Sequence, residues 1–143
     1  MTLQDCFVKG QLKKSPSDIG KAKSSLKIAE NKLNAASIQI ENSLYDWAFI
    51  AAYTSMFHSA RALLFKDGIK ERSHFCLFLY VKETYRGKIE AKYLHELDIL
   101  REQRHAIFYG DEDVHVKEVR KVEAESAVST ARGFLEVVKK LIV

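Results

Sequence analysis

The sequence predicts an all-α protein, an antiparallel up-and-down bundle of four to five helices. Three observations carry this. Ile19, Ala22, Leu26, Ala29, Leu33, Ala36 and Ile40 recur in alternating steps of three and four, the spacing of one stripe along an α-helix. The stretch YDWAFIAAYTSMFHSARALLFK, residues 45–66, is apolar on most sides, as a helix at the centre of a bundle must be. One proline and six glycines in 143 residues leave little material for turn-rich β structure. The whole chain, residues 1–143, reads as a single helical domain with residues 1–15 as a short N-terminal arm.

Taken in order, residues 2–14 form a short amphipathic piece in which Leu3, Phe7 and Leu12 can pack. Ser15 and Pro16 break it, Ser15 as a cap and Pro16 at the first helical position of the next element. A long helix then runs to about Asn42. Its seam suits a coiled coil, an assembly surface or, given its length, an antiparallel bundle. Asn42 and Ser43 offer a break and a new cap. The next helix carries a strip of small residues, Ala48, Ala51, Ala52, Ser55, Ser59 and Ala62, that lets another helix come close. Trp47, Ile50, Phe57 and Leu64 cover another face, with His58 and Arg61 as polar exceptions.

Gly68 suits a left-handed C-cap. Ser73 then precedes HFCLFLYVKETY, which has strand propensity but no second strand to pair with, and is expected to be helical. Arg86 and Gly87 close it, and the next helix spans Tyr93–Tyr109. The acids at 111–113 are expected to favour the N-terminus of a final helix, over about Val114 to Leu141. Ala124, Ala127, Ala131, Phe134, Val138 and Leu141 form its stripe.

Composition excludes some classes. No stretch approaches the roughly twenty apolar residues of a membrane span, and the N-terminus lacks a signal-peptide apolar region. Cys6 and Cys76 lie far apart and form no CxxC pair, so a cytoplasmic chain with two free thiols is expected. His74, His95 and His115 show no metal-ligand spacing, so neither metal nor cofactor is expected. The net charge is +4, and residues 1–32 hold all of it, seven lysines against Asp5, Asp18 and Glu30. Such a patch either attracts RNA or another acidic partner or is a solvated helix face.

The chemically suggestive cluster lies in YLHELDILREQRHAIFY, residues 93–109. Tyr93, Leu97, Leu100, Arg104 and Ile107 share one helical stripe. A guanidinium does not lose its proton, so Arg104 within an apolar stripe needs an anion. That anion is either a carboxylate such as Asp46 or Glu96, or a ligand phosphate. His105 lies about 100° round the helix from Arg104, so both can border one cleft. Arg101 shares a flank with His105, and Tyr109 ends the helix.

Two stretches resemble the HEPN family, named for nucleotide binding in higher eukaryotes and prokaryotes. AAYTSMFHSARALLFKDGI, residues 51–69, with the Ser73-His74 pair after it, is similar to the second-helix signature of small prokaryotic members. LREQRHAIFYGD, residues 100–111, is similar to the terminal motif, an arginine and a polar residue followed at a short distance by histidine. The resemblance covers about residues 16–141. It implies a helical bundle that dimerises, with the arginine motifs meeting in a cleft between subunits. It further implies a toxin-like role, since small members are often toxins paired with a minimal nucleotidyltransferase antitoxin and many members are metal-independent endoribonucleases. Arg104 matches the motif arginine and His105 the polar position after it. The motif histidine falls near residues 109–111, where Tyr109, Gly110 and Asp111 stand.

RNA cleavage without a metal needs a base for the ribose 2′-hydroxyl, an acid for the leaving oxygen and a cation for the phosphorane. Arg104 suits the last role. Tyr109, as a phenol with an ordinary pKa of ~10, is a poor base; His105 is a substitute, as is His115 if its loop folds back. The catalytic candidates are therefore Arg104, His105 and Tyr109, and the RNA- or nucleotide-binding candidates Arg101, Arg104 and His105. The alternative is a non-catalytic HEPN module that binds nucleotide, RNA or a protein partner. The family's tyrosine-containing motifs further suggest that a partnering nucleotidyltransferase modifies Tyr109.

Overall fold

The computed structural model describes residues 1–109 and 118–142. The long seam forms α2, Ile19–Glu41, preceded by the short helix α1, Leu3–Val8. The small-residue helix is α3, Tyr45–Asp67. It is followed by α4, His74–Thr84, α5, Ala91–Tyr109, and α6, Lys121–Ile142. α3 packs against α2, α4, α5 and α6, and so occupies the centre of the bundle. Its strip is consumed by this packing: Ala48, Ala51, Ala52, Ser55, Ser59 and Ala62 are all buried. Ala22, Ala29, Leu33 and Ala36 of α2 are buried as well. The seam that also suited a coiled coil or an assembly surface is therefore largely covered by the same chain. Trp47, expected to cover a packed face, is instead half exposed.

Several boundaries differ from those the sequence predicts. α2 begins later than Pro16, because Asp18 is the residue that caps it, its carboxylate accepting from Lys21 N at 2.9 Å. Ser15 N instead donates to Gly68 O at 2.8 Å, and the Ser17 hydroxyl to Lys66 O. Ser43 does not cap α3; it takes φ 59° in the tight connection, and Leu44 stands at the cap position. α6 starts at Lys121 rather than near Val114. The acids at 111–113, and His115, lie outside the described residues.

A small two-stranded sheet is an addition to the helices. β1, Leu12–Lys14, runs antiparallel to β2, Ile69–Glu71, with Leu12 opposite Glu71 and Lys14 opposite Ile69. The run HFCLFLYVKETY is helical as expected, with Ser73 accepting from Cys76 N at 3.1 Å as the N-cap of α4.

The cysteines correct another expectation. α1 packs on α4, which brings the Cα atoms of Cys6 and Cys76 to 5.8 Å, and the two form a disulfide rather than free thiols. α4 is also tied to the end of α3. Tyr80 and Tyr85 both donate their hydroxyls to Asp67 Oδ2, at 2.9 and 2.6 Å, and Lys66 Nζ lies 3.4 Å from Oδ1.

Gly68 closes α3 in the left-handed conformation, φ 74°, with its N–H on Phe65 O. A Cβ here would collide with the backbone carbonyl of Ser15. Gly68→Ala is therefore expected to lower stability by about 2 kcal/mol or more, from a strained φ and a steric clash together. Urea denaturation measures this; a change within about 0.5 kcal/mol would count against the tight approach of these two segments.

Candidate functional site

α5 is amphipathic through its first turns and changes character near its end. Leu94, Leu97 and Leu100 are buried, while Arg101 and Arg104, one turn further on, are only partly covered. These arginines, with Glu102, His105 and His74 at the start of α4, line an open cleft of about 390 Å³. Three of the residues singled out from sequence, Arg101, Arg104 and His105, thus come together. Tyr109 does not line the cleft; it is 72% exposed, with its ring 4.8 Å from that of His105.

The two arginines differ in their surroundings. Arg101 is held by Asp98 at 2.8 Å and lies 3.6 Å from Glu102, and it covers the Phe75 ring. Arg104 makes no ion pair with any described carboxylate. Asp46 accepts from the Trp47 N–H at its own helix start, and neither it nor Glu96 reaches the guanidinium. Arg104 instead lies over two aromatic faces, Tyr53 at 5.8 Å and Phe108 at 5.0 Å. Cation–π attraction offsets part of the lost hydration, about 0.5–1 kcal/mol per contact at such exposure, and does not use the N–H groups that bind an anion. Phe108 in turn meets Trp47 edge-on at 6.3 Å.

Sequence patterns alone did not assign Tyr53 and His74 to the site. Tyr53 is buried in α3, 2% exposed, and its hydroxyl lies 2.6 Å from His74 Nδ1. The His74 ring stacks on Phe57 with centroids 4.2 Å apart and 20° between planes. The one signal pointing to them is the tyrosine in the first motif stretch and the Ser73-His74 pair that follows it, but only the packing of α4 on α3 shows that they touch. On the same side of α3, Arg61 pairs with Glu71 of β2 at 2.6 Å, and His58 Nδ1 is buried with no hydrogen-bond partner among the described residues.

Electrostatics follow from this crowding of cations. His74 is held below the ordinary imidazole value of 6.5, first by loss of water around the ring and then by Arg104, Arg101 and Arg61. His58 is lowered too, by burial first and then by Arg61, Lys32 and His74. Burial pushes the Tyr53 phenol up to about 12, against the pull of Arg104 and Arg101. Both imidazoles have depressed folded-state values, so below about pH 6.5 the unfolded chain binds more protons than the folded one. Their contribution to stability is present above that pH and is lost as the pH falls through the window beneath it. The melting temperature is expected to drop between about pH 7.5 and about pH 5.5, and to drop less in the His58→Gln/His74→Gln variant. Equal drops in both proteins would contradict this assignment.

The fold and the cleft together define a helical bundle with a basic, aromatic-backed site near the end of one helix. The HEPN domain model matches residues 22–141, and the chain belongs to that family. A protein of Methanocaldococcus jannaschii named "Putative toxin MJ0605" is 32% identical over 123 residues, which are 82% of this chain and 85% of that protein. The "UPF0332 protein PH1297" of Pyrococcus horikoshii is 35% identical over 74 residues, covering 48% of this chain and 52% of that protein. No helix among the described residues is long and apolar enough to cross a membrane.

Proposed function

We propose that this protein is a toxin-like HEPN component that binds RNA at the Arg104 cleft and cleaves it without a metal. The observation that carries the proposal is Arg104 itself, a permanent cation in an open cleft with aromatic rings beneath it and no described carboxylate against it. A phosphodiester supplies the missing anion, and the guanidinium fork matches its oxygens. In this reading His105 accepts the 2′-hydroxyl proton as the ribose oxygen attacks phosphorus. The bond from phosphorus to the 5′-oxygen breaks, and that oxygen takes a proton from solvent. Arg104 stabilises the phosphorane between these events. The toxin assignment rests on kinship with the Methanocaldococcus protein, whose name is "Putative toxin MJ0605".

The same reading includes a homodimer and a nucleotidyltransferase antitoxin as partners. Trp47, Phe108 and Tyr109 are large and exposed beside the cleft, which supports burial of this face against a second copy. The open Tyr109 hydroxyl supports modification by the antitoxin, which an unchanged intact mass after co-expression would count against. A second reading, a binding module without turnover, is favoured by one observation, that tyrosine occupies the motif histidine's position.

The test is fluorescence anisotropy with a short labelled RNA across a range of salt. A logarithm of the binding constant that falls linearly with the logarithm of salt concentration is expected, as for a site that neutralises phosphates. No binding at low salt overturns the reading.

A further inference from the structure

We infer that His74 is a phosphate-binding residue of the Arg104 cleft, held in its neutral, Nε2-protonated form by the Tyr53 hydroxyl. The inference rests on the reading of this cleft as an RNA site and adds a residue from outside α5 and its motif.

Three restraints fix the imidazole. Its backbone is the first residue of α4, set by the Ser73 cap. One face lies on Phe57, and Nδ1 lies 2.6 Å from the Tyr53 oxygen. Tyr53 is in the interior and His74 lines the cleft and keeps surface open to solvent. With Nδ1 turned inward, the opposite edge of the ring, Nε2, is the one available to a ligand.

The proton positions follow from the same contact. A buried phenol keeps its proton at neutral pH, and the raised value at Tyr53 agrees. Its O–H then donates into the Nδ1 lone pair, and a neutral imidazole whose Nδ1 accepts must carry its proton on Nε2. The groups acting on His74 favour neutrality. Tyr53, His58 and Arg61 face it from α3, and Arg101, Glu102, Arg104 and His105 line the cleft with it from α5. Burial of the ring, and then Arg104, which no described carboxylate pairs, disfavour an imidazolium; Arg101 and Arg61 add less, being engaged by Asp98 and Glu102 and by Glu71. An uncharged N–H avoids that repulsion in the empty cleft and still offers a donor to a phosphate oxygen beside the Arg104 fork. Tyr53 is thus a positioning residue: it touches no ligand and acts through the ring it orients.

The experiment measures binding of a short 2′-O-methylated RNA, which cannot be cleaved, to wild type, Arg104→Ala, His74→Leu and His74→Gln. His74→Leu leaves the buried Tyr53 hydroxyl without its partner and is expected to melt lower, so binding is compared at a temperature where thermal melts show every variant folded. The inference predicts a loss of about tenfold or more for His74→Leu and near-wild-type binding for His74→Gln, whose amide N–H stands close to the Nε2 position. A second readout is imidazole ¹⁵N NMR. It should show Nε2 protonated in wild type, and in Tyr53→Phe an upward move of the His74 titration midpoint, because a donor that stabilised the neutral ring is gone. If Arg104→Ala weakens binding while His74→Leu binds as wild type, the inference is overturned and the RNA reading survives. If leucine and glutamine lose binding equally, or the proton sits on Nδ1, the donor role is overturned. If Arg104→Ala binds as wild type, the RNA reading falls, and this inference with it.

Discussion

Replacing Arg104 with alanine is expected to weaken RNA binding about tenfold and to slow cleavage about a hundredfold or more. The two figures differ because charge on the phosphoryl oxygens grows as the phosphorane forms, so the guanidinium contributes more to the transition state than to the ground state. The guanidinium is preorganised for this. Tyr53 and Phe108 lie against it, and no described carboxylate competes for its N–H groups. Arg101 is expected to matter less, since Asp98 at 2.8 Å already engages it. Arg104→Lys tests the geometry: it keeps the charge but not the planar fork, so it should recover binding better than it recovers rate. Anisotropy and single-turnover kinetics on the same RNA separate the two. Equal losses in binding and rate would show that Arg104 merely holds the substrate.

Phe134→Ala is expected to lower the stability of the protein by about 3–5 kcal/mol, the largest stability effect we anticipate from a single core truncation. Phe134 is fully buried in α6, among the largest side chains of the core, and packs beside the Tyr93 ring with centroids 6.0 Å apart. α6 covers α3 and also touches α2 and α5. A cavity at Phe134 therefore lies where helices meet and cannot be closed by moving one of them alone. For a chain of this size the melting temperature should fall by roughly 10 °C. Chemical denaturation checks the free energy directly; a loss below about 1 kcal/mol would mean that the helices repack around the gap.

The helices were legible because each buries a repeating stripe. Ala22, Ala29, Leu33 and Ala36 could be placed on one face of α2 by counting alone, and the small strip of α3 marked the helix with the most neighbours. Gly68 was legible as a cap because its role is local. The features that could not be read were set by pairs distant in sequence. β1 and β2 are three residues each, too short for an alternation to register, and they pair across more than fifty positions. Cys6 and Cys76 are 70 residues apart, and nothing in either neighbourhood points to the other until α1 lies on α4. The start of α2 was misread because Ser15 and Pro16 resemble a helix start in isolation, whereas Ser15 is engaged by the end of α3.

The site divides in the same way. Arg101, Arg104 and His105 are neighbours on one helix, so helical geometry alone brings them to one cleft. Tyr53 and His74 stand on two other helices, and their 2.6 Å contact exists only in the folded chain. Arg104 was legible as a buried-stripe cation in need of a partner. That aromatic rings rather than Asp46 or Glu96 would lie against it was not, because a ring and a carboxylate on a neighbouring helix satisfy the same sequence constraint.

The most direct test of the central claim is cleavage of a labelled RNA in EDTA by purified wild-type protein beside Arg104→Ala. Cleavage by the wild type, with little or none by the variant, is the predicted result and would assign the reaction to the α5 cleft. Equal cleavage by both proteins, or none by either, would contradict it.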